Sequence, residues 1–113
     1  MSRKSGIEKH VPLSEATYYI MLVLMTPMHG YGVMQQVDQM TDGVVSVGAG
    51  TLYGALSTLE KDGLVEMVRK EGRRKFYELT DKGQEVLQCH LGRLELMVDN
   101  GKQVMGSATR GEG

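Results

Sequence analysis

Five cations crowd into seven positions: Arg69, Lys70, Arg73, Arg74 and Lys75, interrupted only by Glu71 and Gly72. Guanidinium and ammonium groups at this density attract a polyanion, and arginine adds a planar fork that matches phosphate oxygens. The cluster stands out because the chain carries a formal net charge of −1 and has no Lys or Arg between His10 and Glu60. Other cations sit at Arg3, Lys4, Lys9 and Lys61, while residues 78–99 are acidic on balance. A layout this uneven says more about a partner than the net charge does. On charge alone, a solvated hairpin and a polyanion-binding hairpin are equally open readings.

Other chemistries find less support. His10, His29 and His90 are scattered, and Cys89 and His90 are adjacent rather than spaced to put two ligands on one helix face, so no metal site is expected. His29, in HGYG, suits a turn-stabilising hydrogen bond. With Cys89 as its one cysteine, the chain can form no internal disulfide, which fits a reducing compartment. No nucleophile, base and orienting group occur together. GAG before Thr51 lacks the lysine and spacing of a nucleotide loop. Neither enzymatic activity nor a cofactor is expected.

These groups need a scaffold. At 113 residues the chain makes one short domain with little reserve of core, a shortage that a partner subunit would relieve. No apolar run is long enough to span a bilayer. The start, MSRKSGIEKH, has cations without a signal-like apolar core behind them, so a cytoplasmic protein is expected. Residues 1–12 read as a flexible N-terminal arm. Ser14 is a suitable N-cap, and Pro27 ends a first helix over residues 15–26. That helix is apolar on nearly every face and must be covered on more than one side, with a second subunit as one source of cover.

A glycine-rich junction, Met28 to Gly32, leads into a second helix over residues 31–40, with Val33, Val37 and Met40 on one face. A third helix, near residues 51–62, buries Leu52, Leu56 and Leu59 and ends at Gly63. Its opposite face, Gly54, Ser57, Thr58 and Lys61 with Thr51 and Tyr53 on the flanks, is small, polar and almost uncharged. Residues 64–70 and 75–79 read as two strands joined by the turn EGRR. Thr80 caps a last helix whose Leu87, Leu91, Leu94 and Val98 form an apolar stripe, and residues 106–113 read as a disordered tail.

The predicted fold is therefore mainly α with a β-hairpin wing: a winged helix-turn-helix over residues 13–80, followed by a C-terminal dimerisation helix over residues 81–105. In a helix-turn-helix the second helix of the pair enters the major groove. The third helix of this chain holds that place, and its outer face has almost no cation. Most affinity for DNA comes from phosphate neutralisation. The wing supplies it, with Arg73 and Arg74 at the tip and Arg69, Lys70 and Lys75 on the strands. A tip arginine also suits a narrow minor groove.

The blocks SEATYYIMLVL, HGYGVMQQV, GAGTLYGALSTLEKDGLV and RRKFYELTDKG, in this order over residues 13–83, resemble the PadR family of winged-helix transcriptional regulators. The resemblance implies a homodimeric repressor that binds promoter DNA. It assigns Thr51, Tyr53, Ser57 and Thr58 to DNA contact, with Lys61 toward the backbone; Tyr53 lies in the family's T-L-Y motif. The C-terminal helices are expected to build the dimer through Leu87, Leu91, Leu94 and Val98, joined by Tyr18 and Leu22. The resemblance also implies a small, commonly aromatic effector near that interface. Met21, Met25, Met34 and Met97 could line such a pocket, or fill a core that has one Phe and no Trp, which is the commoner use of methionine. The C-terminal region is shorter than in longer members, so a pocket would be small or shared between subunits. Two other readings stand beside this one: a metal- or redox-sensing regulator using Cys89 and His90 across the dimer, and a protein-interaction module whose basic wing meets an acidic partner.

Overall fold

The computed structural model describes the backbone over residues 6–112 and the side chains over residues 6–106. Its elements are α1 (Glu15–Val23), β1 (Met28–His29), α2 (Gly30–Met40), α3 (Ala49–Lys61), β2 (Val65–Glu71), β3 (Arg74–Leu79) and α4 (Asp81–Glu112). This is the expected winged helix-turn-helix with its C-terminal helix, and it carries one strand more than the sequence disclosed.

Ser14 caps α1: its hydroxyl oxygen accepts the Thr17 N–H at 3.1 Å. The helix stops at Val23 rather than at residue 26. The Leu24 carbonyl accepts the Leu79 N–H at 2.8 Å, so a bond to β3 replaces continued helix. Ile20, Met21, Val23 and Leu24 are buried, while Tyr18 and Leu22 are half-buried and Met25 is exposed. Helices α2 and α4 pack on α1, so this chain itself supplies most of the cover that the apolar helix requires.

Residues 1–5 of the expected arm lie outside the described residues. From Gly6 onward residues 6–8 form a helical turn and Ile7 enters the core, where its apolar side chain is removed from water.

The turn between α2 and α3 spans residues 41–48. Asp42 and Gly43 take positive φ there, 51° and 78°. The Thr41 hydroxyl donates to the Val37 carbonyl at 2.9 Å and accepts the Val45 N–H at 3.0 Å. Buried Val45 and Val47 pin the turn to the core.

The sheet is antiparallel in the order β1-β3-β2. Strands β2 and β3 close through Gly72 and Arg73, with Glu71 opposite Arg74. Gly72, at φ +60°, supplies the left-handed conformation a two-residue hairpin loop needs at its first position. The register slips between Met67 and Arg69, so Val68 forms a bulge and Arg69 lands opposite Phe76. On the other side of β3, Met28 pairs with Tyr77 and His29 with Phe76.

The Thr80 hydroxyl accepts the Gly83 N–H at 3.0 Å and so caps α4. Gly83 answers a close approach: a Cβ there would lie 3.0 Å from the Leu64 carbonyl carbon and 3.3 Å from Leu79. Val86, Leu87 and His90 join the core. Helix α4 is described as far as Glu112, past the residue 105 at which the sequence reading ends it; no proline interrupts it. Its 32 residues span about 48 Å. The radius of gyration is 16.8 Å, above the roughly 13 Å of a compact domain this long, because α4 runs on past the domain. No helix among the described residues is long and apolar enough to cross a membrane.

Candidate nucleic-acid interface

Helix α3 buries Leu52, Leu56 and Leu59 and exposes Thr51, Tyr53, Gly54, Ser57, Thr58 and Lys61, so every residue expected on its outer face is there. Gly48 is the N-cap and offers no side-chain acceptor, so the first-turn N–H groups of α3 gain no side-chain partner from the cap. The outer surface is low as well as polar. A Cβ added at Gly50 or Gly54 would meet nothing within 4 Å, and neither takes a positive φ. The fold therefore does not require either glycine, although each weakens the helix relative to alanine.

The wing brings its cations to the same side. Arg73, Arg74 and Lys75 are exposed and line a groove of about 340 Å³ whose other walls are His29, Gly30, Tyr31, Tyr53 and Tyr77. No carboxylate among the described residues lines it. Lys70 stands directly across the ladder from Lys75. Like charges facing each other in this way are unfavourable, and a polyanion relieves them.

Arg69 behaves differently from its neighbours. Its Nε donates to the Glu71 carboxylate at 2.7 Å, and its guanidinium lies 4.0 Å from the centre of the Phe76 ring. The His29 ring meets Phe76 edge-on, with centroids 5.3 Å apart. The bulge at Val68 sets up this stack by placing Arg69 opposite Phe76. Arg69 therefore braces the wing against β3, whereas Lys70, Arg73, Arg74 and Lys75 have no ion pair among the described residues.

His29 holds α2 as the sequence led us to expect. It is the N-cap, and its Nδ1 accepts the Gly32 N–H at 3.2 Å. Tyr53 reaches across to the same turn. A Cβ on Gly30 would lie 2.8 Å from the Tyr53 Cζ, so only glycine lets the ring settle against α2. The ring packs while the residue stays 54% exposed. Tyr77 lies deeper; burial raises its phenol pKa, and Glu60 and Tyr53 push the same way, so it keeps its proton as a donor. Tyr31 and Tyr77 were not foreseen. HGYG was visible as a junction, but only the paired strand β1 shows that its tyrosine borders the wing.

The expected dimer residues divide into two groups. Leu87 is spent on the chain's own core. Tyr18, Leu22, Leu87 and Leu91 line an apolar groove of about 170 Å³ between α1 and α4, together with Met25, Gln84 and Gln88. Leu91 and Val98 are exposed and Leu94 half-buried on the outer half of α4. Of the methionines expected to form a pocket, Met25 lines this groove. Met21 is fully buried in the core, Met34 is half-buried against it, and Met97 lies far along α4, outside the groove. The structure does not bring the four together.

His90 is buried, and its Nδ1 accepts the Leu13 N–H at 3.2 Å while its ring sits 5.3 Å from Tyr18. That nitrogen is already engaged in joining the segment before α1 to α4. Cys89 is half-buried beside the core.

The sequence model described as the transcriptional regulator PadR-like family matches residues 20–89. Among curated proteins, the Escherichia coli transcriptional regulator YqjI is 26% identical over 83 residues, 73% of this chain and 40% of that protein. The chain spans well under half the length of two curated relatives that it matches, 40% of one and 17% of another. Among solved structures, a transcriptional regulator from Clostridium thermocellum superposes with a TM-score of 0.69 at 23% identity, covering 85% of this chain and 97% of its own. A PadR family regulator from Eggerthella lenta gives a TM-score of 0.67 at 22% identity, with 92% and 85% covered. These two similarities concern the fold.

Proposed function

The chain belongs to the PadR-like family of transcriptional regulators, and from that premise we propose that it is a cytoplasmic, homodimeric repressor that binds promoter duplexes through α3 and the wing. The observation that carries this reading is the carboxylate-free groove between the two, with Arg73, Arg74 and Lys75 along its wing side. Thr51, Ser57 and Thr58 reach toward base edges, Tyr53 and Lys61 toward the backbone, and Lys70, Arg73, Arg74 and Lys75 supply the phosphate neutralisation that α3 lacks. Arg69 supports the wing from behind. A second copy docks along α4 through Leu91, Leu94 and Val98, and the groove beside Tyr18 and Leu22 holds a small aromatic effector. Its volume of about 170 Å³ suits one ring, since an apolar cavity of about 150 Å³ holds benzene.

A salt titration of binding to the protein's own upstream region tests this. Replacing Arg73 and Arg74 with alanine lowers affinity for every duplex and shallows the slope of log K against log salt by about 4, one unit for each phosphate no longer neutralised, two per protomer. A wild-type dimer that binds no duplex, or a double variant with unchanged affinity and slope, removes the wing mechanism.

A further inference from the structure

The groove between wing and helix holds more than the cations at its edge. Tyr31, in the first turn of α2, is 59% exposed, and Tyr53, from α3, is 54% exposed. Both line the groove opposite Arg73, Arg74 and Lys75. Tyr53 lies against Gly30, the residue next to Tyr31, so two phenols from different helices border one wall. Two exposed aromatic rings that line the same groove offer a continuous surface for a partner to cover. A phenol is a rigid arm with a neutral hydroxyl at its end, suited to an anionic oxygen. The facing wall is cationic and the lining has no carboxylate, so the occupant carries negative charge.

We propose that Tyr31 and Tyr53 form a two-hydroxyl clamp on one DNA backbone phosphate, which the wing cations neutralise from the opposite wall. This rests on the DNA-binding reading above and adds to it a contact from α2. The clamp fixes the register of α3 on the duplex by hydrogen bonding, while the wing supplies the counterion-dependent affinity. The two contributions separate by salt: losing a neutral hydroxyl releases no counterion, so the salt slope stays the same.

The test uses a duplex from the protein's upstream region, trimmed to the wild-type footprint. Tyr31→Phe keeps the ring and removes the hydroxyl; its exposure leaves folding intact, checked by an unchanged thermal midpoint. Affinity falls about ten- to hundredfold, the effect of one net hydrogen bond in each of two protomers, at every salt concentration, with an unchanged slope. A scan of the duplex with neutral methylphosphonates, placed in symmetry-related pairs so that each half-site carries one, then finds one pair of backbone positions at which wild type and Tyr31→Phe bind alike, and Tyr53→Phe identifies the same pair. Equal affinity of Tyr31→Phe and wild type overturns the clamp while leaving DNA binding in place. A loss of the same size on every methylphosphonate duplex also overturns it. A folded wild-type chain that binds no duplex overturns both readings.

Discussion

His90 ties the segment before α1 to α4 through a nitrogen that must stay unprotonated, since an imidazolium cannot accept the Leu13 N–H. Burial lowers its pKa, and Arg93 adds to the effect. His10 shifts the same way, through burial first and then Lys82, with Asp62 opposing. In both cases the unfolded chain takes up protons before the folded one as the pH drops below 6.5, the ordinary histidine value. Their contribution to stability is therefore complete above that value and is lost as pH falls through the lower folded-state value. Urea unfolding at pH 7.5 and at pH 5 should show the acid loss in wild type and a smaller loss in His90→Gln, whose side-chain oxygen can accept without titrating. Equal losses in both would remove His90 from the acid response. Arg69 carries a different lesson at this scale. Five neighbouring cations look equivalent in the sequence, and a one-residue bulge gives one of them a ring to stack on and a carboxylate beside it. No periodicity announces a bulge.

Helices α3 and α4 each contain a glycine that composition alone would mark as a flaw, and the two have opposite reasons. Gly54 faces open space, so Gly54→Ala should stabilise the domain by about 1 kcal/mol while weakening duplex binding on the proposed reading, because it raises the surface that would approach the groove. Gly83 sits against the backbone at Leu64 and against Leu79, so Gly83→Ala should cost about 1–3 kcal/mol despite alanine's better helix propensity. Thermal unfolding of both variants checks the signs; two shifts in the same direction would refute the distinction. Elements of this length were legible because their apolar spacing repeats several times: Leu52, Leu56 and Leu59, or Val33 and Val37, mark a buried face without any structure. Strand β1 was not legible, since Met28 and His29 are too few to show alternation and are strand only because β3 accepts them. The end of α1 was misplaced for a related reason, since the Leu79 N–H that claims the Leu24 carbonyl lies far away in sequence.

At the scale of the molecule, the single chain buries its own core, and the exposed apolar residues proposed to meet a partner lie along α4. Leu91, Leu94 and Val98 recur there at steps of three and four residues, the spacing of a helix seam. Leu94→Glu should shift the sedimenting species from dimer to monomer and reduce affinity for a two-half-site duplex about 100-fold or more, the loss of effective concentration on separating linked modules. An unchanged dimer would assign the assembly to another surface. The stripe was readable in the sequence, but its division was not: Leu87 faces the chain's own core, and only the packing of α4 on α1 shows where self-burial ends and a free face begins. The third strand has one more consequence. Because Met28 and His29 hold β3 from the far side while β2 holds it from the near side, the hairpin is a braced arm rather than a hanging loop. On the proposed reading it arrives at the double helix already shaped, with little freedom to surrender on docking, so recognition would discriminate by fit instead of by folding.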